Sequence, residues 1–156
     1  MNQPTSHRGV QFSFDWPIRV YYEDTDAGGI VFFVNYLKFF ERARTEWLRA
    51  CGVDQRRLAE DNSIVFIVSE TAVQYRAPAR LDDTLTVTSR IERLGKASVE
   101  FVQEARRASE LLAVGKIRVG CVDLATLKPV ALPASVSEAL RRDPNAFIEG
   151  VSTANA

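Results

Sequence analysis

From Phe12 to Tyr22 an apolar or aromatic side chain recurs at every second residue: Phe12, Phe14, Trp16, Ile18, Val20 and Tyr22. Between them stand Ser13, Asp15, Pro17, Arg19 and Tyr21. A period of two predicts a half-buried β-strand. Pro17 has no N–H to give a ladder, so this strand is expected at a sheet edge. At Asn35 the period changes. Tyr36, Phe40, Ala43, Trp47 and Ala50 form an apolar stripe at spacings of three and four, opposite Lys38, Arg42, Thr45 and Arg49. That pattern predicts an amphipathic helix, with Asn35 as its N-cap and Gly52 at the C′ position.

Four strand-like runs follow. Ile64 to Tyr75 begins apolar on both faces, from Ile64 to Val68, and such a run is expected to be central and covered. Leu85, Val87 and Ile91 alternate with polar residues after the turn at Asp82-Asp83. Val99 and Phe101 alternate after Gly95-Lys96, and Leu111 to Val122 follows a turn at Ser109-Glu110. Read as successive hairpins, these runs predict an antiparallel sheet. A short helix is expected over Ser135 to Arg142, with Ser135 as N-cap and Glu138 at N3. One main helix and five strands pack most economically as an α+β domain, the sheet curling around the helix. The chain divides into a leader (1–11), this domain (12–143) and a tail (144–156).

Composition narrows the chemistry. Lys+Arg and Asp+Glu are both 20, so the net charge is zero and nothing marks a nucleic-acid-binding surface. No apolar run reaches the ~18 residues of a membrane span. Cys51 and Cys121 lie far apart and fit no zinc spacing; two reduced thiols are expected, in a cytoplasmic protein. The single histidine, His7, sits in the polar leader. Mechanisms that need a core histidine, such as a Ser-His-Asp triad or His-ligated zinc, are therefore disfavoured.

The densest chemical signal is the loop from Tyr21 to Tyr36. Glu23, Asp24 and Asp26 put three carboxylates within four residues, and Gly28-Gly29 permits close backbone approach by a ligand. The helix that follows brings unpaired N–H groups and the positive end of its dipole. A carboxylate beside such donors suits thioester or ester hydrolysis, attacking or activating water while the N–H groups hold the oxyanion. Two other readings of the acids stand beside this one. In one they solvate and cap a turn; in the other they bind calcium, although the EF-hand pattern fails at Gly28 and at Asn35.

The run Arg19-Val20-Tyr21-Tyr22-Glu23-Asp24-Thr25-Asp26-Ala27-Gly28-Gly29, continuing through Asn35-Tyr36-Leu37-Lys38-Phe39-Phe40-Glu41-Arg42-Ala43-Arg44, resembles the 4-hydroxybenzoyl-CoA thioesterase family. Within it the chain is most similar to the Tol–Pal-associated acyl-CoA thioesterase branch. Tyr75-Arg76-Ala77-Pro78-Ala79-Arg80-Leu81-Asp82-Asp83 resembles that branch too, and the likeness runs from about Trp16 to Pro133. The resemblance implies a hotdog fold, hydrolysis of an acyl-CoA thioester without metal or bound cofactor, and assembly as a homodimer or homotetramer. It places the catalytic aspartate on Asp26 and the oxyanion-binding backbone N–H on Phe33, with Gly28 and Gly29 supporting the loop. Branch members commonly carry Tyr-His where this chain has Phe32-Phe33; the 4-hydroxybenzoyl-CoA enzymes resemble this chain in having no histidine there. Hydratase hotdogs use a histidine, and this chain has none suitable.

Glu41 is the alternative catalytic carboxylate, although its spacing to Arg44 also predicts a local ion pair. Arg76 and Arg80 flank Pro78 as candidate binders of CoA phosphates. Asp24 is expected to support the loop rather than react. A function of another class remains: a non-hydrolytic acyl-CoA or acyl-carrier-protein binding module that keeps the loop without turnover.

Overall fold

A computed structural model describes residues 12–146; His7, the leader 1–11 and the tail from 147 onward lie outside the described residues. Five strands form one antiparallel sheet: β1 (Ser13–Arg19), β2 (Ile64–Tyr75), β3 (Thr84–Leu94), β4 (Ser98–Arg107) and β5 (Glu110–Asp123). Three helices accompany them: α1 (Asn35–Ala50), α2 (Gln55–Asn62) and α3 (Ala134–Leu140). The sheet order is β1-β3-β4-β5-β2.

The alternating pattern of β3, β4 and β5 produces the expected hairpins, each strand pairing with the next. The expectation fails at β2, which pairs with β5 rather than β3. The link from β2 to β3 therefore crosses the sheet, and β2 is an edge strand rather than a central one. Ile67 and Val68 are 42% and 43% exposed. Ile64 and Phe66 of the same run are partly buried against the core, so the expected cover on both faces is incomplete in the single chain. β1 lies at the opposite edge, where Pro17 pairs with Thr86 without needing to donate to a further strand.

The buried stripe of α1 includes Tyr36, Phe39, Phe40, Ala43 and Trp47, and it packs into one core with Leu85, Val87, Phe101, Leu112 and Ile117 of the sheet. A sheet wrapped around one long helix is the hotdog arrangement. The contact is close. A Cβ on Gly115 of β5 would stand 2.7 Å from Cε2 of Phe40 and 2.9 Å from Cδ1 of Ile117.

Two cap readings need correction, and one helix was not expected. Val34, not Asn35, is the N-cap of α1; Asn35 is its first residue and sends its side chain back to the preceding loop. Pro133, not Ser135, is the N-cap of α3, with no side-chain cap bond, because the helix starts one residue earlier. The eight residues of α2 gave no apolar period, since none of them is buried; Asp54 caps the helix by accepting the Arg57 N–H at 3.1 Å. Gly52 does follow the end of α1 in the left-handed region, at φ 80°.

Candidate active site

Between β1 and α1 the chain makes a loop that closes on itself. A short 3₁₀ turn covers Tyr22–Asp24. Asp24 is buried; its Oδ2 accepts the Tyr21 N–H at 2.9 Å, and its main-chain oxygen accepts both the Phe32 N–H at 3.0 Å and Asn35 Nδ2 at 2.8 Å. The other carboxylate oxygen, Oδ1, is buried without a partner among the described residues. Thr25 bridges Val31, so the two arms of the loop are laced together. The helix head is thereby tied to the acidic turn through Asp24 and Asn35.

Asp26 sits at the exposed end of this loop. Its N–H donates to Ile30 O at 2.9 Å, and its Oδ1 accepts the Gly28 N–H at 2.8 Å. That bond fixes the carboxylate's rotamer and leaves Oδ2 with no partner among the described residues. Gly28 and Gly29 are required for different reasons. A Cβ on Gly28 would stand 3.2 Å from Asp26 Oδ1, and Gly29 has φ 74°, a conformation that L side chains resist.

Phe33 follows the loop, just before the N-cap. Among the described residues its N–H meets no acceptor. Its carbonyl accepts the Tyr75 hydroxyl at 2.9 Å. The Phe33 ring meets Phe32 at 4.9 Å and Tyr75 at 6.1 Å between centroids, and Tyr75 in turn contacts Tyr36 at 5.5 Å. Burial raises the phenol pKa of both tyrosines, so both are neutral donors at ordinary pH; for Tyr75 the neighbouring Tyr36 adds to the effect. The Tyr36 hydroxyl accepts the Ala79 N–H at 3.0 Å.

The segment after β2 packs beside the glycines. Ile30 bridges Arg80, Val31 N–H donates to Ala79 O at 2.9 Å, and Leu81 N–H donates to Gly29 O at 3.3 Å. The backbone of Arg80 is thus brought to the loop. Arg76 is not: its N–H donates to Leu112 O, and its exposed side chain makes no bond to the loop. Arg107 holds this segment, reaching Asp83 Oδ2 at 2.7 Å and Pro78 O at 3.2 Å. Burial pushes the Asp83 carboxyl upward, but Arg107 and the Arg80 N–H outweigh it and hold the pKa below its usual value.

Glu41 lies two turns into α1, away from Asp26. The expected ion pair with Arg44 is not formed. Glu41 Oε1 accepts the Thr45 hydroxyl at 3.1 Å, while Arg44 turns inward and donates to Gln103 Oε1 at 2.9 Å. Glu41, Arg44 and Thr45 line a cleft between α1 and the β2 edge, whereas Asp26 stands on open surface.

Sequence reasoning passed over Tyr75, Asn35 and Arg107 as site-building residues. Tyr75 and Asn35 lie inside the motifs that carried the resemblance, but their roles depend on partners 42 and 11 residues away. Arg107 has a local partner in Glu110 at 2.6 Å, but that pair gives no sign of its contacts to Asp83 and Pro78, 24 and 29 residues earlier.

Comparison with known proteins agrees with this fold. A profile of the Thioesterase-like superfamily matches residues 20–140. The chain is 44% identical over 126 residues to the acyl-CoA thioesterase YbgC of Haemophilus influenzae, covering 81% of this chain and 93% of that protein. It is 45% identical over 124 residues to the acyl-CoA thioester hydrolase YbgC of Escherichia coli O157:H7, covering 79% and 92%. The crystal structure of a probable thioesterase from Bartonella henselae superposes with a TM-score of 0.74 at 33% identity, covering 78% of this chain and 99% of that one. By its matched span, its relatives and its sheet wrapped around one helix, the chain belongs to the Thioesterase-like superfamily.

Proposed function

We propose that this protein is a cytoplasmic acyl-CoA thioesterase in which Asp26 acts as nucleophile or general base and the Phe33 N–H receives the oxyanion. One observation carries the reading. The loop presents an exposed carboxylate, anchored by one oxygen to Gly28, and just before the helix the Phe33 main-chain N–H meets no acceptor among the described residues. In the nucleophilic route the Asp26 carboxylate attacks the thioester carbonyl, CoA leaves as its thiolate, and water cleaves the resulting anhydride. In the general-base route Asp26 takes a proton from water, which attacks directly. In both, negative charge develops on the carbonyl oxygen, and a fixed N–H donor at a helix N-terminus stabilises it more than it stabilises the ground state.

The names of the YbgC relatives favour the enzyme over a non-hydrolytic binding module. The finer placement in the Tol–Pal-associated branch of the 4-hydroxybenzoyl-CoA thioesterase family rests on the loop and helix motifs. The carboxylate in the cleft, Glu41, supports a second reading in which it replaces Asp26. The unpaired β2 edge, with Ile67, Val68 and Tyr75 exposed, supports a homodimer or homotetramer, in which Arg76 and Arg80 bind CoA phosphates.

The test is a panel of straight-chain and aromatic acyl-CoAs incubated with the protein and a thiol reagent. Release of free CoA is expected. Acyl-CoA binding without release would instead establish the binding module.

A further inference from the structure

Arg44 is 8% exposed and belongs to the inner face of α1. Its Nη1 donates to Gln103 Oε1 at 2.9 Å. Gln103 is itself fully buried and held in place, its Nε2 donating to Phe40 O and to Ser89 Oγ, both at 2.8 Å. The Gln103 amide therefore presents its oxygen to Arg44 in a fixed direction. No carboxylate lies within ion-pair distance of the guanidinium among the described residues, although Glu41 is near enough to favour its charge; its other N–H groups have no protein acceptor there and are not sealed from solvent. A buried cation with one neutral partner is costly, because desolvation of the charge is not repaid. Burial lowers the Arg44 pKa to about 10, so the group is nonetheless charged at neutral pH.

This cation lines a cleft of about 110 Å³ whose other walls are largely apolar: Leu48, Phe66, Val99, Phe101, Val119 and Leu140. The one carboxylate in the lining, Glu41, is exposed and engaged by Thr45, so it stands at the mouth while Arg44 stands within. A largely apolar cleft with a fork of N–H donors in its lining matches a hydrocarbon chain that ends in an acceptor, and a carboxylate matches the fork best. Arg44 lies eleven residues beyond Phe33, ~16 Å along the helix axis; a helical side chain leans back toward the N-terminus, which brings that separation within reach of a medium-length acyl chain.

We propose that the cleft accepts acyl groups carrying a carboxylate at their far end, with Arg44 as the specificity-determining residue. The inference rests on the thioesterase reading and names its substrate class: the CoA thioesters of α,ω-dicarboxylic acids.

The test compares octanoyl-CoA with octanedioyl-CoA, and dodecanoyl-CoA with dodecanedioyl-CoA, in the parent protein and in Arg44→Gln. The variant should lose ~10–100-fold in kcat/KM on the dicarboxylate thioesters and change less than ~3-fold on the plain ones. Arg44→Lys, which keeps the charge but not the fork, should fall between. Equal losses on both members of each pair, or no loss on either, would overturn the proposal. If Arg44→Gln does not fold by circular dichroism, Thr45→Phe fills the cleft from the helix surface. It should then abolish a preference of the parent for the dicarboxylate thioesters, and a parent without that preference refutes the idea. If the parent releases CoA from none of the four, the thioesterase reading fails separately. Calorimetric titration with octanedioate and octanoate then decides: ~10-fold tighter binding of octanedioate supports the Arg44 site, and equal or absent binding rejects it.

Discussion

The phenol of Tyr75, the last residue of the edge strand β2, donates to the main-chain carbonyl of Phe33 at 2.9 Å. A side chain on the sheet thereby fixes the peptide plane that leads into α1. Tyr75→Phe removes that bond and keeps the ring contacts. The fold should persist, since Tyr75 is 46% exposed. Turnover should fall ~3–30-fold with KM little changed, because a loosened donor acts on the transition state more than on binding. Steady-state kinetics beside a melting curve checks both parts.

Asp26→Asn leaves an amide oxygen able to accept the Gly28 N–H, so the loop should hold its shape. Loss of at least ~10²-fold in kcat is expected, with acyl-CoA binding retained. If kcat stays near the parent value while Glu41→Gln abolishes it, the cleft carboxylate is the catalytic one.

At position 33 the main chain should matter more than the ring. Phe33→Ala keeps the N–H and should keep most of the chemical rate, with weaker acyl binding. Phe33→Pro removes the donor and should cost about 10²–10³ in kcat. The fold has little reason to resist proline here, as this N–H has no internal acceptor and the site precedes the helix. Matching circular dichroism is the precondition; equal turnover in folded Phe33→Pro and parent would place the oxyanion elsewhere.

Sedimentation should show a dimer or tetramer at micromolar concentration. Ile67→Lys puts a charge on the exposed β2 edge and should shift the population toward monomer without unfolding it. A parent that sediments as monomer would remove the oligomer from the proposal.

Burial raises the thiol pKa of Cys51 and Cys121. Below their raised values both stay protonated and unreactive. Under native conditions a thiol reagent should titrate released CoA while labelling the protein slowly. Fast labelling of the folded protein, followed by mass spectrometry, would contradict their placement in the core.

The period-two strands and the amphipathic helix were legible because each side chain's partner face is set by its neighbours in sequence. What the pattern could not supply was order across the sheet. The run Ile64 to Val68 reads the same whether its cover comes from this chain or from another, and so it was assigned to the centre of the sheet while lying at the edge. Arg44 shows the same limit on a helix. Spacing offered Glu41 as partner, but rotation of the helix points the guanidinium at Gln103, 59 residues away. The acidic loop was visible as composition. Its closure was not, because both closing bonds end on the main-chain oxygen of Asp24, which any residue possesses, and only Asn35 adds a side chain to them.

Gly115 has a reach out of proportion to its size. The space where its side chain would stand is occupied by the ring of Phe40, so the separation of helix and sheet is set by one absent methyl group. Both the Phe33 end of α1 and Arg44 ride on that helix. A methyl at position 115 would act as a wedge, tilting the donor at one end and the cation in the middle together. Positions 40 and 115 therefore form a matched pair: enlarging the glycine calls for a smaller phenylalanine and a shifted Ile117, and a variant that changes one alone alters the alignment of two sites at once.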